Sequence, residues 1–277
     1  MNTHKIALAQ IHSYLGNIDL NLKKHYLYIE KARKEEADLV VFPELSLTGY
    51  LLKDLAYELS GKCEESIRKM LDYSQDICII AGVIEEHRIG IYRNSMVVIC
   101  DGEVKGFVPK LYLPSYGLFE ESRYFQEGGA NDVKVFEYKG LKFGVVICED
   151  AWHPEPVELL AHLGADIVFI SSSSPLRGLY DKNDTFIEKI WEAINITRAI
   201  ENNVFIGFVN RVGVEDEEYF WGGSMVVSPE GRVIKKAPKM EEKLLIVDID
   251  FNSLRRARRF SSFKIHRRDL HYRMGEL

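Results

Sequence analysis

The sequence predicts an α/β fold of two packed, mixed β-sheets with helices on their outer faces. Short apolar runs typical of buried strands alternate with segments of helical periodicity near the N-terminus and again after residue 140. Elsewhere, neighbouring apolar runs are separated by short turn sequences, which predict β-hairpins. Helix-linked strands combined with hairpins fit two layers of sheet between outer helices.

The first half of the chain predicts strands linked by helices, followed by a hairpin. Leu22, Tyr26 and Ile29 recur at the spacing of one helical face, and Pro43 ends the second strand. Asp101-Gly102 is a strong two-residue hairpin turn. In chain order, the predicted elements are strand 6–10, helix 21–36, strand 38–42, helix 64–74, strand 77–84 and hairpin strands 91–100 and 103–108.

The second half begins with another hairpin, predicted around Lys139-Gly140, and continues with a helix that Gly164 ends. No linker or low-complexity segment divides the sequence, so we expect residues 1–277 to form a single domain. The predicted elements are strands 133–138 and 141–148, helix 155–163, strand 166–171, the longest helix at 184–202, and strands 204–210, 225–228, 232–236 and 244–249.

The composition excludes several classes of protein. The 277 residues are 46% hydrophobic and 28% charged, which excludes extended disorder, collagen and coiled coil. The net charge of −6 argues against a nucleic-acid partner, because such proteins are usually basic. The longest apolar run, 77–84, is too short to span a membrane, and the first ten residues lack the apolar core of a signal peptide. We therefore expect a cytoplasmic protein without a membrane or nucleic-acid partner.

The four cysteines do not form a CxxC metal or redox motif. We expect reduced thiols, with Cys63, Cys78 and Cys100 serving as small buried side chains. Cys148 differs from the others because it follows an apolar strand directly.

Three apolar strands are each followed by a reactive polar side chain. These are Glu44 after residues 40–43, Lys110 after residues 107–109, and Cys148 after residues 145–147. In α/β proteins, side chains at the carboxyl ends of strands meet in one crevice. A carboxylate can accept the thiol proton, and a lysine favours the thiolate and stabilises an oxyanion. The set therefore predicts acyl transfer through a thioester.

These residues lie in motifs that resemble the carbon–nitrogen hydrolase, or nitrilase, superfamily. Glu44 lies in FPELSLTGY at 42–50, Lys110 is followed by Leu113-Pro114, and Cys148 lies in ICED at 147–150. Further similar segments are at 125–128, 164–166, 198–202 and 223–225. The resemblance implies a four-layer α-β-β-α sandwich and a reaction that needs no metal and no organic cofactor.

Within that superfamily the chain is similar to the glutaminase domains of glutamine-dependent NAD synthetases. The similar segments are LPSYGLFEESRYF at 113–125, CEDAW at 148–152, SSP at 173–175 and NRVG at 210–213. Those enzymes also have a synthetase domain with a Ser-Gly-Gly-x-Asp-Ser phosphate loop, a sequence that these 277 residues do not contain. We therefore expect a stand-alone amidase, or a glutaminase subunit whose synthetase partner is a separate chain.

The resemblance also assigns roles to individual residues. Cys148 is the nucleophile, Glu44 the general base, and Lys110 holds the oxyanion with the backbone N–H of Glu149. Glu121 is a supporting carboxylate, although it could instead pair with Arg123 at the surface. Asp150 and Trp152 are expected to support the nucleophile turn, and Arg177 is a candidate for binding a substrate carboxylate. The expected substrate-binding residues are Tyr50, Tyr116, Phe119, Glu149, Ser174 and Pro175.

The predicted reaction is hydrolysis of a small linear carboxamide, such as glutamine, to an acid and ammonia. Nitrilase, N-carbamyl amidase and ω-amidase activities stay open, because a nitrile would react at the same sulfur. A subunit that delivers ammonia to a separate synthetase is a further alternative. A non-catalytic scaffold is also conceivable, but such a protein would need none of Glu44, Lys110 and Cys148.

Basic side chains cluster in the C-terminal segment of about 250–277 and are interleaved with Phe260 and Phe263. Such a cluster is typical of a patch that binds nucleic acid or an anionic membrane. The resemblance instead implies an extended tail that packs at a subunit interface, so we expect a homo-oligomer, either a dimer or a larger assembly.

Overall fold

The computed structural model describes residues 3–176 and 186–260. Within these ranges the strands are β1 (Thr3–Gln10), β2 (Leu39–Val41), β3 (Cys78–Arg88), β4 (Ile91–Cys100), β5 (Glu103–Pro109), β6 (Phe136–Tyr138), β7 (Leu141–Ile147), β8 (Ile167–Ser172), β9 (Phe205–Asn210), β10 (Val212–Glu215), β11 (Glu218–Trp221), β12 (Met225–Val227), β13 (Val233–Lys236) and β14 (Lys243–Asp250). The α-helices are α1 (Ile18–Lys34), α2 (Leu55–Leu71), α3 (Glu121–Tyr124), α4 (Pro154–His162), α5 (Phe186–Asn202) and α6 (Phe251–Phe260).

The strands form two mixed sheets and one separate hairpin of β10 and β11. The first sheet has the order β14-β1-β2-β3-β4-β5, and the second has the order β13-β12-β9-β8-β7-β6. Counted from β14, the five pairs of neighbouring strands in the first sheet are antiparallel, parallel, parallel, antiparallel and antiparallel. Counted from β6, the five pairs in the second sheet have the same order of directions. The described chain therefore uses one sheet topology twice.

Alternating side chains of the strands separate three apolar cores. In β1, Ile6 and Leu8 pack between the two sheets, whereas Ala7 and Ala9 pack in the core that includes α1 and α2. On the other side, Val168 of the second sheet packs in the core that includes α4 and α5. Strands buried on both faces explain why their sequences are continuous apolar runs. The layers are helix, sheet, sheet and helix, so the predicted fold class is confirmed.

The two hairpins predicted from two-residue turns are confirmed. Asp101 and Gly102 join β4 to β5 with φ of 55° and 73°, and Lys139 and Gly140 join β6 to β7 with φ of 50° and 86°. Positive φ at both central positions matches the twist of the strands that the turn connects.

The helix predicted at 64–74 is wrong at its start, because α2 begins nine residues earlier, at Leu55. Gly61 lowers the local helix propensity and hides this first part of the helix. Packing outweighs that cost, since Ala56, Leu59 and Cys63 are buried against the first sheet. The helix predicted at 184–202 as the longest is present as α5. It has 17 residues, the same number as α1 and α2. Residues 184 and 185 lie outside the described ranges.

The expected extended tail begins as a helix. Residues 251–260 form α6, which buries Leu254 and Ala257 and joins the body of the protein through a 3.0 Å hydrogen bond from Arg258 to Asp166. Residues 261–277 of the predicted tail lie outside the described ranges. No helix in the described residues has the length and apolar character needed to cross a membrane.

The expectation that Cys78 and Cys100 are separate thiols is wrong in this structure, which joins them in a disulfide. The two residues face each other at the ends of the antiparallel strands β3 and β4, with a Cα–Cα distance of 4.3 Å. Their separation of 22 residues in sequence gave no sign of this proximity. The cysteine content therefore provides no argument for a reducing compartment.

His25 is fully buried beneath the turn that leads from β2 to Glu44. Its ring stacks on Phe42 at a centroid distance of 4.1 Å, and its nitrogens lie 2.7 Å from the carbonyl oxygen of Asn21 and 2.9 Å from Ser46 Oγ. Because the carbonyl can only accept, Nδ1 donates to it and Nε2 accepts from the serine. Burial lowers the pKa of His25 to about 4, so the ring is neutral in the folded protein.

We predict that His25 weakens the fold in acid. The unfolded chain binds a proton below its ordinary pKa of 6.5, whereas the folded chain resists protonation down to about 4. Stability is therefore lost as the pH falls between these values, by roughly 1.4 kcal/mol per pH unit. Chemical denaturation of a His25→Gln variant should give a smaller loss over this range. A matched His87→Gln change at a partly exposed site should behave like wild type, and equal pH dependence in all three proteins would contradict the prediction.

Candidate active site

Lys110 lies fully buried between two carboxyl groups at the carboxyl ends of the strands. Its Nζ donates to Glu44 Oε1 at 2.6 Å and to Glu121 Oε1 at 2.5 Å. Glu44 follows β2, Lys110 follows β5, and Glu121 begins α3. Strands β2 and β5 point in the same direction, which brings the residues after them to the same edge of the sheet. Glu121 thus pairs with Lys110 rather than at the surface with Arg123.

The electrostatics of this cluster keep Lys110 protonated. Burial alone lowers the pKa of Lys110, but the carboxylates of Glu121 and Glu44 outweigh burial and raise the pKa well above its ordinary value. Burial raises the pKa of Glu121, and Lys110 opposes that increase.

Glu44 is surrounded by hydrogen-bond donors, the environment that suits a carboxylate. Asn94 Nδ2 donates to Oε1 at 2.8 Å, and the backbone N–H of Ser173 donates to Oε2 at 2.9 Å. Asn94 also reaches Glu121 Oε2 at 3.4 Å, so one amide connects the two carboxylates. The sequence analysis missed Asn94, because it lies inside a strand, β4, and not directly after one.

The turn that carries Glu44 depends on a glycine in the neighbouring strand. Leu45 has a positive φ of 47°, which few residues other than glycine adopt. A Cβ at Gly82 of β3 would lie 2.2 Å from the Leu45 nitrogen and 2.5 Å from the Pro43 oxygen. Glycine at position 82 therefore lets the turn lie directly on the strand.

Cys148 occupies a strained position immediately after β7. Its φ of 44° is positive, and it begins a 3-10 turn that ends at Trp152. The side chain is partly exposed, and Ser172 Oγ donates to Sγ at 3.3 Å. Burial and the charge of Glu44 raise the pKa of the Cys148 thiol, and Lys110 lowers it less than these two raise it. Lys110 favours the thiolate as expected, but the net effect keeps the resting sulfur a thiol.

Asp150 connects the backbone next to Lys110 with the backbone next to Cys148. Its Oδ1 accepts from the N–H groups of Leu111 and Tyr112 at 2.9 Å each, and its Oδ2 accepts from the N–H of Ile147 at 2.9 Å. Burial raises the pKa of Asp150 to about 7, and these three hydrogen bonds oppose the increase. Trp152 supports the same turn, since Arg198 of α5 donates to its carbonyl oxygen at 3.1 Å.

The expected substrate-binding residues occupy two different surroundings. Tyr50 is buried and donates to Glu121 Oε1 at 2.5 Å, and its ring meets Phe119 edge to face. A cavity of about 60 Å³ lies beside these three residues. At the surface, the exposed Tyr116 donates to Glu149 Oε2 at 2.8 Å.

Ser174 and Pro175 lie in the loop after β8, and both are buried. Ser174 Oγ accepts a 2.9 Å hydrogen bond from Trp191 of α5, and Pro175 forms an isolated β-bridge with Phe220. Arg177 lies outside the described residues. In the described ranges, no three His, Cys, Asp or Glu side chains are grouped to hold a metal ion.

Three consecutive serines hold the site together, and the sequence analysis named only Ser173 of them, within the segment at 173–175. Ser171 Oγ donates to the Phe42 carbonyl, Ser172 contacts Cys148, and Ser173 bonds both the backbone and the carboxylate of Glu44. All three come at the end of β8, where polar residues follow an apolar run. The rule that selected the ends of β2, β5 and β7 would also have selected this strand end.

Comparisons with known proteins show the family of the chain. Residues 5–259 match the family described as carbon-nitrogen hydrolase. The chain belongs to the carbon–nitrogen hydrolase family. It is therefore an enzyme of the hydrolase class that acts on carbon–nitrogen bonds.

The glutamine-dependent NAD(+) synthetases to which the chain is similar are longer proteins. The chain is 34% identical to the glutamine-dependent NAD(+) synthetase of Acinetobacter baylyi over 92% of its own length and 46% of the relative. For the same enzyme of Thermotoga maritima the identity is 33%, with 91% and 43% covered. The chain thus spans less than half the length of these curated relatives, and the matched part is their carbon–nitrogen hydrolase-like region.

Solved structures have the same fold. A carbon-nitrogen hydrolase from Helicobacter pylori is 27% identical and superposes with a TM-score of 0.89, covering 98% of this chain and 97% of the other. An amidase from Nesterenkonia is 23% identical with a TM-score of 0.82, and 98% and 99% of the two chains are covered. The amidase likeness concerns the fold alone.

We predict that Asp150→Asn misplaces the Cys148 thiol. An amide nitrogen would replace one acceptor and face a backbone N–H, so the two loops would separate. Alkylation of Cys148 by iodoacetamide should change in rate by about tenfold, since small displacements of reacting groups have large kinetic effects. Asp132→Asn, which alters a carboxylate that caps the surface turn at Gly129, should leave the rate unchanged. Equal rates in both variants and wild type would contradict the prediction.

Proposed function

We propose that this hydrolase cleaves a small linear carboxamide to an acid and ammonia through a thioester on Cys148. The observation that carries the proposal is the Lys110 ammonium bound by Glu44 and Glu121 beside the only partly exposed thiol among the described residues. The charges and the donors around Glu44 suit proton transfer from a neutral thiol, and the buried ammonium suits a developing oxyanion.

In the first half-reaction, Cys148 Sγ attacks the amide carbon while Glu44 accepts the thiol proton. The carbonyl electron pair moves to oxygen, where Lys110 and the backbone N–H of Glu149 stabilise the negative charge. Collapse of this intermediate breaks the carbon–nitrogen bond, and Glu44 returns its proton to the leaving ammonia. The acyl group stays on sulfur as a thioester.

In the second half-reaction, Glu44 takes a proton from water and the resulting hydroxide attacks the thioester carbon. The carbon–sulfur bond breaks, and the sulfur regains the proton from Glu44. Glu121 keeps Lys110 in place through both halves, because its hydrogen bond to Nζ does not involve the substrate. We propose these roles for all five residues, with Glu149 acting through its backbone N–H.

Glutamine is the substrate that we propose first. Support comes from the similarity to glutamine-dependent synthetases, which extends over 92% of this chain. Glu149 lies at the surface of the site, where its carboxylate could bind an α-ammonium group, and Tyr116 fixes its orientation. A second proposal, delivery of the ammonia to a synthetase, rests on the same relatives and predicts that ammonia release increases when such a partner is added.

Ammonia release from a substrate panel tests the proposal. The panel contains glutamine, asparagine, short aliphatic amides, N-carbamyl amino acids and a nitrile, and intact-mass spectrometry follows acyl adducts on Cys148. We expect ammonia from glutamine or another linear amide with a transient adduct. Cys148→Ala should lower the rate roughly a thousandfold or more, and Glu44→Gln roughly a hundredfold or more.

The matched control is Cys63→Ala, because Cys63 is the other free cysteine among the described residues and lies buried in α2. This variant should keep the wild-type rate. An adduct from a nitrile or carbamyl compound alone would place the enzyme in another branch. Turnover that survives in Cys148→Ala would refute the thioester mechanism.

A further inference from the structure

A buried ion pair lies next to the backbone of Tyr50 and is separate from the proposed reacting groups. Arg211 Nη1 and Glu215 Oε2 are 2.7 Å apart, and the two side chains are only 1% and 2% exposed. Arg211 directly follows β9, and Glu215 ends β10 in the separate hairpin. Neither side chain contacts Cys148, Glu44 or Lys110 through a hydrogen bond.

The surroundings of Arg211 hold the guanidinium in one orientation. Its Nη2 donates to the Ser13 carbonyl oxygen at 2.9 Å, and its centre lies 4.2 Å from the ring centroid of Phe220. Phe220 belongs to β11, the partner strand of β10. The arginine is thus fixed by backbone, ring and carboxylate together, and it fixes Glu215 in turn.

The other oxygen of Glu215 binds the backbone of the loop at Tyr50 and Leu51. Oε1 accepts from the N–H of Tyr50 at 2.8 Å and from the N–H of Leu51 at 2.5 Å. Gly49 makes this approach possible, because a Cβ at that position would lie 2.8 Å from Glu215 Oε2. A single carboxylate therefore sets the position of the Tyr50 backbone.

Tyr50 connects this carboxylate to the charged cluster. Its hydroxyl donates to Glu121 Oε1, the same oxygen that accepts from Lys110 Nζ. Its ring meets Phe119 and Phe220 edge to face, with centroid distances of 6.1 Å and 6.3 Å. A continuous series of contacts runs from the ion pair through Tyr50 to the lysine.

Stability alone gives no reason for an ion pair at this depth. Removing two charges from water is costly, and well-packed apolar residues are often as stable as a buried pair. What apolar residues cannot provide is an acceptor for the two backbone N–H groups of the loop.

We propose that Glu215, held by Arg211, is a positioning residue that sets Tyr50 and through it the Glu121–Lys110 pair. The inference rests on the proposed function. Neither residue contacts the substrate in this proposal. Glu215 acts as a hydrogen-bond acceptor for the loop, and its charge serves only the pair with Arg211.

Two double variants separate these roles. Arg211→Met with Glu215→Gln removes both charges but keeps an oxygen that can accept from Tyr50 and Leu51. Arg211→Met with Glu215→Leu removes the charges and also the acceptor. We expect the double variant with Glu215→Gln to keep kcat within about threefold of wild type. The double variant with Glu215→Leu should lose about tenfold or more in kcat, with a smaller change in KM.

Coupling to Tyr50 provides the second comparison. Tyr50→Phe removes the hydroxyl that reaches Glu121, so it should lower kcat by a similar factor. Adding Tyr50→Phe to the leucine double variant should cost little more, because both changes interrupt the same series of contacts. Fully multiplicative effects would overturn the proposal.

A less buried ion pair, at the opposite ends of the strands of the second sheet, is the control. Asp166 precedes β8 and accepts from Arg258 Nη1 at 3.0 Å and from the backbone N–H of Lys142 at 3.4 Å. Asp166→Leu with Arg258→Met should leave kcat unchanged. Circular dichroism and thermal unfolding establish that every compared variant is folded.

The pH profile of Cys148 alkylation by iodoacetamide is the readout that does not need the natural substrate. It should shift in the leucine double variant and not in the glutamine double variant. If wild type hydrolyses no amide but this difference appears, the proposed function fails, while the positioning of Tyr50 and of the Glu121–Lys110 pair by Glu215 is supported. If the two double variants have the same profile and the same kcat, the inference is overturned.

Discussion

The buried ammonium of Lys110 is the constraint on which the site depends. A lysine with no exposure to water is stable only where opposite charges replace the lost hydration, and Glu44 and Glu121 do so at 2.6 and 2.5 Å. Burial of the thiol, together with the charge of Glu44, keeps Cys148 protonated at rest, which makes the proton acceptor, rather than a preformed thiolate, the decisive element of the chemistry.

The cluster cannot form without the packing of the two sheets. Glu44 belongs to the first sheet, but its carboxylate and backbone are bound by Ser173, which follows β8 of the second. Asp150 does the same in the opposite direction, because it lies in the turn after β7 and binds the backbone that follows Lys110. Hydrogen bonds between residues of the two sheets therefore hold the sheets together at the site and also align the reacting groups.

Much of this could be predicted from local sequence. Apolar runs gave the buried strands, and the polar residues directly after them gave Glu44, Lys110 and Cys148, because both signals depend on neighbours in the chain. Long-range partners left no such signal. Asn94 lies within strand β4 and not after it, and Glu215 reaches Tyr50 across 165 residues. Cys78 and Cys100 likewise meet only through strand register. These positions are set by tertiary packing.

The protonation state of resting Cys148 is the most direct test of the proposed proton transfer from a neutral thiol. Thiolate absorbance in the ultraviolet, titrated against pH in wild type and in Cys148→Ser, isolates this sulfur by difference. We expect no Cys148 thiolate at neutral pH in wild type, and a titration at lower pH in Glu44→Gln, because that change removes a charge that raises the pKa of the thiol. A thiolate already present at neutral pH, with no shift in the Glu44 variant, would contradict this expectation.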